Sequence, residues 1–460
     1  MPPLKKTLIA LGMPLFCVTL AAHVQASDFT AWKQSQQQGF ASYLNAQQQA
    51  FATMLKSDWE EYSGKLSIRD NYAPKPLSPP SATPEDTPRT PAQPASPPPR
   101  QPAPALTTPV APKGALVFLG HALSPPSWPV RLNAPLNDAK ALAHAYQTLA
   151  AHPASTQLVQ WLNQQRQDLH LGDWGTWQLV HRIAGGSGPE TSVKVWFLLL
   201  ELGYDVKLGF NASRIAVLPQ VQQTVYWKQY YTSAGLKYVD LAQEESTSSR
   251  LFLHGNTDAN RKPFDLSFTQ VPKTRPVART ISLVNGSDRL DLTYDAELAR
   301  YYHRHPTIAL SYYFNAPLGP LLEDSLQQSW QRLNLEQGSQ LASLNRMLGL
   351  VQYGVRYELD KQQFSTEEYY QLPEELLANG AGDCEDRSIL FARMIRHLMK
   401  QDVIGLHYPG HVATAVKIDG AGTAYKLENA RYLVADPTYI GSRAGEEMPD
   451  LADVSPSFIR

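Results

Sequence analysis

The chain has 460 residues, more than one ordinary domain holds, so we expect two or three domains. Hydrophobic residues make up 43% of the sequence, which is enough to build buried cores. The 41 basic and 42 acidic residues leave a net charge of −1. This balance argues against a dedicated nucleic-acid binder, because such proteins carry a basic excess.

Residues 1–26 have the pattern of a secretory signal peptide. Lys5 and Lys6 precede an apolar stretch over residues 7–24, and Val24-Gln25-Ala26 forms a small-residue cleavage site. The alternative is a retained membrane anchor, but the small residues at the exit favour cleavage. Cys17 follows Phe16 rather than Gly or Ala, so we expect no lipid anchor. The pattern predicts export.

Residues 27–70 are predicted to form an amphipathic helix built on an 11-residue repeat. Phe29, Phe40 and Phe51 begin its three units. Eleven residues span three helical turns, so equivalent side chains share one stripe of the helix. The stripe could dock an envelope partner or self-associate. The alternative is a helix that folds back on its own domain.

Residues 71–113 are predicted to be a proline-rich linker. Fifteen of the 36 prolines lie between Pro74 and Pro112, a density that helices and central strands do not tolerate. As polyproline II this segment would span at most about 120 Å, at ~3.1 Å per residue. We therefore expect it to separate the N-terminal helix from the globular part of the chain.

The globular part is predicted to contain three segments. Residues 114–261 form a helical and mixed domain, with helices over Asp138–Ala151 and Leu158–Leu169. Residues 262–319 are β-rich, with strands at Thr280–Val284, Leu290–Tyr294 and Ile308–Phe314, and a hairpin turn at Asn285-Gly286. Residues 320–460 form the domain that carries the chemistry.

Cys384 is predicted to begin a helix that runs to about His397. Unpaired N–H groups and the dipole at a helix start stabilise a thiolate, which a sulfur nucleophile needs. If Cys17 leaves with the signal peptide, Cys384 is the one remaining thiol and has no disulfide partner. A catalytic Cys384 should be partly exposed, with a pKa well below the usual ~8.5. The alternative is a small, buried and inert residue near a helix cap.

Two later segments supply partners for this thiol. His411 opens the predicted strand 411–418 after Gly410, where its imidazole could move the thiol proton. Asp436 ends an apolar strand, where its carboxylate could bond the far ring nitrogen of His411. Alone, His411 fits a surface or core histidine, and Asp436 fits an Asp-Pro turn.

A cysteine at a helix start, followed by His and Asp on later strands, has the order of the transglutaminase-like (papain-related) fold. The sequence resembles this superfamily, in particular bacterial exported transglutaminase-like proteins, over roughly residues 320–450. The matching segments are GDCEDRSILFARMIRHL, YPGHVATAV and YLVADPTYIGSRAGEEMP. The resemblance implies an α+β fold, with Cys384 as nucleophile, His411 as general base and acid, and Asp436 as orienting residue. It also implies the periplasm of a Gram-negative bacterium.

The acidic run around Cys384 is also similar to periplasmic transglutaminase-like cysteine proteinases that trim surface adhesins, some of which bind calcium beside the nucleophile. This makes Asp383, Glu385 and Asp386 candidate calcium ligands, although the reaction requires no cofactor. The alternative is that these acids complement the helix dipole. Candidate oxyanion donors are the backbone amide of Cys384 and the side-chain amide of Gln363, for which a surface-loop role is the alternative.

An internal comparison predicts a second, degenerate copy of this domain over residues 114–261. Residues 188–197 align without gaps on residues 382–391, and Tyr238-Val239-Asp240 falls near residues 434–436. Glu190 then takes the place of Cys384, and Arg214 that of His411. A carboxylate and a guanidinium cannot perform thiol acyl transfer, so this copy would be silent. The alternative is coincidence between two helix–strand units.

These features predict an exported cysteine acyl-transfer enzyme. Its substrate would be a peptide or isopeptide bond in an envelope or surface protein, or in a peptidoglycan stem peptide. Hydrolysis is favoured over cross-linking, because water is always present. The alternative is a non-catalytic envelope scaffold or assembly protein, a role that the repeat helix, linker and silent copy would suit.

Overall fold

A computed structural model of the chain describes residues 35, 38, 42, 45–57, 59–68, 73–82, 116–133, 135–242, 250–254, 260–364 and 366–460. The chain divides into two compact units, Met1–Met54 and Leu55–Arg460. In the first unit, residues 45–54 are helical. The predicted signal peptide and most of the first two repeats lie outside the described residues.

The N-terminal part of the second unit contains short strands around a group of four helices. The strands are β1 (Trp59–Ser63), β2 (Lys65–Leu66), β3 (Leu116–Phe118), β4 (His121–Leu123), β5 (Val206–Phe210), β6 (Ile215–Pro219), β7 (Gln229–Ser233), β8 (Leu236–Val239) and β9 (Arg250–His254). The helices are α1 (Ala139–Ala151), α2 (Pro153–Asp168), α3 (Asp173–Ala184) and α4 (Pro189–Glu201). Asp138 caps α1 by accepting the Ala141 N–H at 2.8 Å, which confirms the predicted start of that helix.

The predicted helix over residues 27–70 was wrong beyond residue 54, where a turn over residues 55–57 precedes strand β1. Strand β1 pairs antiparallel with β9, and the indole of Trp59 lies edge-on to Phe210 with ring centroids 4.9 Å apart. Strand β2 pairs with β7. These partners lie more than 140 residues away in sequence, so cross-strand pairing and aromatic packing override the local 11-residue period.

The middle of the chain is a hairpin followed by two short helices. Strands β10 (Ala278–Asn285) and β11 (Asp288–Asp295) confirm the predicted hairpin, in which Gly286 has a φ of 59°. Helices α5 (Ala296–Tyr302) and α6 (Leu310–Asn315) follow. The predicted strand over Ile308–Phe314 was wrong. A short apolar run does not distinguish a strand from a buried helical turn.

The C-terminal part carries the segments that resemble the transglutaminase-like superfamily. Its helices are α7 (Pro320–Arg332), α8 (Gln340–Gly354), α9 (Asp360–Gln363), α10 (Pro373–Asn379) and α11 (Cys384–Met399). Its strands are β12 (Arg356–Tyr357), β13 (Ala381–Gly382), β14 (Val403–Tyr408), β15 (His411–Val416), β16 (Ala424–Leu427), β17 (Ala430–Ala435) and β18 (Ser457–Ile459). Helices α7 and α8 pack on the β10–β11 hairpin, so the predicted boundary near residue 319 does not divide the core.

Helix α11 lies against an antiparallel sheet with strand order β16-β17-β15-β14-β18. Every residue of β15 is buried, because one face meets α11 and the other forms a core with Leu406 and Val434. The fold is therefore α+β, as predicted. None of the helices in the described residues is both long and apolar enough to cross a membrane.

The N-terminal part repeats this topology. Strands β9, β5 and β6 are neighbours in one sheet, β8 pairs with β7, and a bridge between Gln220 and Tyr238 joins β6 to β8. The order β7-β8-β6-β5-β9 therefore matches β16-β17-β15-β14-β18, strand for strand in the sequence. Helix α4 precedes β5 as α11 precedes β14. This agreement supports the predicted duplication.

Candidate active site

Cys384 is the first residue of α11, the helix position at which the sequence analysis placed it. Asp383 precedes it, and its N–H donates to the Asp386 carboxylate at 3.3 Å, which satisfies a donor that the helix itself cannot pair. The side chain of Cys384 is fully buried. Its thiol donates to Oε2 of Glu385 at 3.2 Å, and the backbone N–H of Val412 donates to its sulfur.

The partial exposure and lowered pKa expected of a catalytic Cys384 are not found in this structure. Burial raises the pKa of the thiol well above its ordinary value, the Glu385 carboxylate adds to the rise, and the Lys75 ammonium opposes it. The helix dipole favours a thiolate, but here loss of water and an adjacent negative charge outweigh it.

His411 and Asp436 form a hydrogen-bonded pair at the edge of the sheet. The Nε2 atom of His411 lies 2.9 Å from Oδ2 of Asp436, and both side chains are buried. The other carboxylate oxygen of Asp436 accepts the backbone N–H groups of Thr438 at 2.8 Å and Tyr439 at 3.2 Å. The Nδ1 atom of His411 is buried and has no hydrogen-bond partner among the described residues. This nitrogen is the one left to exchange a proton.

The packing of α11 on β15 brings the thiol to this pair. Ser388, one turn after Cys384, donates to the carbonyl of Val412 at 2.9 Å, while the N–H of Val412 meets the sulfur. Strand β15 pairs with β17, whose last residue precedes Asp436. The structure therefore places all three residues of the predicted triad at one end of adjacent elements.

Gln352, on α8, fixes the turn that follows Asp436. Its buried amide nitrogen lies 3.0 Å from the carbonyl of Asp436 and 2.8 Å from that of Tyr439, and its Oε1 accepts the N–H of Gly441 at 3.2 Å. Sequence reasoning missed this residue, since a glutamine in a helix gives no sign of contacts 84 to 90 residues away.

Replacing Gln352 with leucine should lower the free energy of unfolding by about 3 kcal/mol. The change leaves several buried carbonyl and N–H groups of the 436–442 turn without partners. Urea unfolding of the full chain measures the loss. The matched control is Gln362→Leu at an exposed position, with an expected change within about 0.5 kcal/mol. Equal losses in the two variants would contradict the role given to Gln352.

The predicted calcium ligands have different environments. Asp383 and Glu385 surround the ammonium of Lys75, together with Asp360 and Glu368. Asp386 instead accepts the backbone N–H of Gln371 at 2.7 Å and the side-chain amide of Gln371 at 2.6 Å.

The predicted linker, residues 71–113, is not wholly separate from the globular part of the chain. Lys75 binds the carboxylates around Cys384, and Ser81 forms a β-bridge with Ile440, so residues 73–82 pack on the globular part.

The side-chain amide of Gln363, a candidate oxyanion donor, is hydrogen-bonded within its own segment. Its amide nitrogen donates to the carbonyl of Glu358 at 2.8 Å.

Tyr357, on β12, is the polar side chain near the thiol that sequence reasoning missed. Its hydroxyl donates to the carbonyl of Pro76 at 2.7 Å. Burial and the nearby Cys384 and Asp383 raise the pKa of Tyr357, which keeps the phenol protonated and able to donate.

In the N-terminal part, the place that aligns with the predicted triad holds an ion pair. Nη1 of Arg214 lies 2.5 Å from Oδ2 of Asp240, the residue after β8, just as Asp436 follows β17. Glu190, in the place of Cys384, is partly exposed and pairs with Lys194 at 2.7 Å along the helix. A cavity of about 240 Å³ opens beside Arg214, lined in part by Trp177 and His181.

Comparison with protein-family models and with curated proteins gave no match for this chain.

Proposed function

We propose that this chain is an exported thiol acyl-transfer enzyme of the transglutaminase-like superfamily that hydrolyses peptide or isopeptide bonds. The observation that carries the proposal is the hydrogen-bonded His411–Asp436 pair. The second ring nitrogen of His411 has no partner among the described residues. The next residue, Val412, donates its N–H to the Cys384 sulfur. The periplasm of a Gram-negative bacterium and an envelope-protein or peptidoglycan-peptide substrate belong to the same proposal.

In the proposed reaction, Nδ1 of His411 takes the proton of Cys384, and Asp436 stabilises the resulting imidazolium. The thiolate attacks the carbonyl carbon and forms a tetrahedral intermediate. The C–N bond then breaks, the amine leaves with the proton from His411, and a thioester remains on Cys384. Water, deprotonated by His411, hydrolyses the thioester and regenerates the thiol.

The proposal includes calcium only as an ion bound by the acidic side chains around Lys75. The carboxylates of Asp360, Glu368, Asp383 and Glu385 are the oxygen donors that calcium prefers. Oδ1 of Asp360 and Oδ1 of Asp383 are buried and have no hydrogen-bond partner in the part of the chain described, which suits a further cation. The Lys75 ammonium lies among the same oxygens, so calcium and Lys75 would exclude each other.

The test is acetylation by p-nitrophenyl acetate, a small acyl donor that needs no knowledge of the natural substrate. We expect one acetyl group to be mapped to the peptide containing Cys384 and then lost to water, with continued release of p-nitrophenol. Cys384→Ser is the matched control and should abolish both signals. Turnover that survives Cys384→Ser would overturn the proposal.

A non-catalytic scaffold is the second candidate function, and the full burial of Cys384 together with its raised pKa favours it. A scaffold thiol would be acetylated only after urea had unfolded the protein. An enzyme thiol would be acetylated in the native state, at urea concentrations where circular dichroism shows the fold intact.

A further inference from the structure

Residues 73–82 lie across the candidate active site and contact the segments that carry all three members of the triad. Lys75 meets Asp383 and Glu385, the two neighbours of Cys384 in sequence. Pro74 meets Gly410, which precedes His411. Residues 80–82 pair with Ile440, four residues after Asp436. The groove that this segment fills is therefore the groove that leads to the thiol.

The side chain of Lys75 occupies a pocket built for a cation. Its ammonium lies 2.9 Å from Asp383, 3.2 Å from Glu368 and 3.4 Å from Asp360, and it also contacts Glu385. The lysine side chain is only 7% exposed, and each of the four carboxyl side chains is buried. A neutral side chain here would leave the carboxylates without their counter-ion, so the pocket selects for positive charge.

The Lys75 ammonium and burial have opposite effects on the pKa values of the carboxyl groups in this pocket. Although burial works against it, the Lys75 ammonium lowers the pKa of Glu385 to about 2. Burial, Asp360 and Glu385 raise the pKa of Asp383 well above its ordinary value. Glu385 is therefore the main ion-pair partner of Lys75, and Asp383 lies 2.9 Å from the same ammonium.

The other contacts of the segment are made by its backbone. The Tyr357 hydroxyl donates to the carbonyl of Pro76, and the N–H of Ile440 donates to that of Pro80 at 2.9 Å. The N–H of Ala82 donates to the carbonyl of Ile440 at 2.9 Å. A Cβ on Gly410 would lie 2.6 Å from the Pro74 carbonyl oxygen, so this close approach requires glycine. Backbone contacts of this kind hold any extended peptide.

The one other large side chain of residues 73–82 apart from the prolines faces solvent. The side chain of Leu77 is 81% exposed. Lys75 is the only charged residue between residues 71 and 84. The segment therefore consists of one anchoring lysine on a proline-containing backbone that bends at residues 77 and 78.

From these contacts we infer that residues 73–82 are the intramolecular occupant of a peptide-binding groove. Its natural ligand is a proline-containing peptide with a lysine in the Asp383–Glu385 pocket. The inference deepens the proposed function and rests on it for the fate of the bound peptide. Binding itself does not require catalysis. Because residues 73–82 lie beside Cys384, a peptide ligand must displace them before its own carbonyl can reach the thiol.

The experiment measures binding of a fluorescent peptide with the sequence of residues 73–82 to full-length chains that carry Cys384→Ala. We expect the Lys75→Gln chain to bind this peptide at least tenfold more tightly than the chain with Lys75 intact, since its own occupant is weakened. We also expect at least tenfold weaker binding of a peptide with glutamine in place of the lysine. Lys361→Gln, at an exposed lysine, is the matched control and should leave binding unchanged.

A second measurement uses the chain with Lys75 intact and so does not depend on how the variant folds. Excess lysine peptide should speed hydrogen exchange of the amides in residues 73–82, whereas the glutamine peptide should not. Binding that is equal for the two peptides, or exchange that neither peptide changes, would overturn the inference. Acetylation of Cys384 is measured separately, so the proposed function can fail while peptide binding holds, and the reverse.

Discussion

Replacing His411 with alanine should slow acyl transfer from p-nitrophenyl acetate to Cys384 about 100-fold at pH 6.5. An ordinary thiol with a pKa near 8.5 is already only about 1% thiolate at that pH, and burial raises the pKa of Cys384 further. General-base assistance contributes about 10²–10⁴-fold, and the low end applies because p-nitrophenolate leaves without a proton. Residues 73–82 contact the sequence neighbours of Cys384 in both proteins, so the ratio of the two rates reports the imidazole alone.

The matched control is His407→Ala. His407 lies on β14 opposite Val412, but its ring is next to Ser457 rather than Asp436. We expect the rate of acyl transfer in this variant to stay within about twofold of the original, because its ring is not part of the triad. The pH profile gives a second readout. The residual rate of His411→Ala should keep rising to above pH 8.5, because burial holds the pKa of the Cys384 thiol above its ordinary value. If His411→Ala and His407→Ala have the same rate of acyl transfer and the same pH profile, His411 has only a structural role.

The local elements of the site could be predicted from the sequence because nearby residues determine them. Helix α11 begins at Cys384, where the acidic first turn and the following apolar periodicity place it. Strand β15 begins at His411 and β17 ends one residue before Asp436, both within the apolar runs that predicted them. The hairpin at Gly286 follows from the same local signals.

The features that the sequence did not predict depend on contacts between distant residues. Lys75 lies 285 to 310 positions before the carboxylates that bind it, and β1 pairs with a strand about 190 residues later. Proline density correctly excluded helix from residues 73–82, but it did not reveal that one lysine ties the segment to the globular part. The raised pKa of Cys384 depends on burial, which no local pattern measures.

The second large effect is expected in the N-terminal copy, where Arg214→Ala should lower the free energy of unfolding by about 3 kcal/mol. The Asp240 side chain is only 1% exposed, and removal of Arg214 leaves its carboxylate without the ion-pair partner. Breaking a buried pair costs about 3–5 kcal/mol, and we expect the low end because the adjacent cavity can admit water. Urea unfolding of the full chain measures the change.

Arg250→Ala is the matched control, because Arg250 pairs with Glu61 at 3.4 Å with both side chains exposed. Such pairs contribute about 0.2–1 kcal/mol, so this variant should unfold nearly as the original does. A double variant, Arg214→Met with Asp240→Asn, should recover much of the stability lost in Arg214→Ala. It removes the buried charge as well as its partner. Equal losses in Arg214→Ala and Arg250→Ala would mean that Asp240 is already solvated.

Acyl transfer to Cys384 should stay within about twofold of the original in folded Arg214→Ala, and this separates a structural copy from a working one. Arginine stays protonated throughout the physiological pH range, so it cannot accept a proton as His411 does. Glu190 pairs with Lys194 along the helix surface rather than with Arg214. A loss of acyl transfer as large as that of His411→Ala, with stability unchanged, would show that the N-terminal copy takes part in the reaction. The expected pattern, stability lost and chemistry kept, assigns Arg214 and Asp240 to the core of a silent copy.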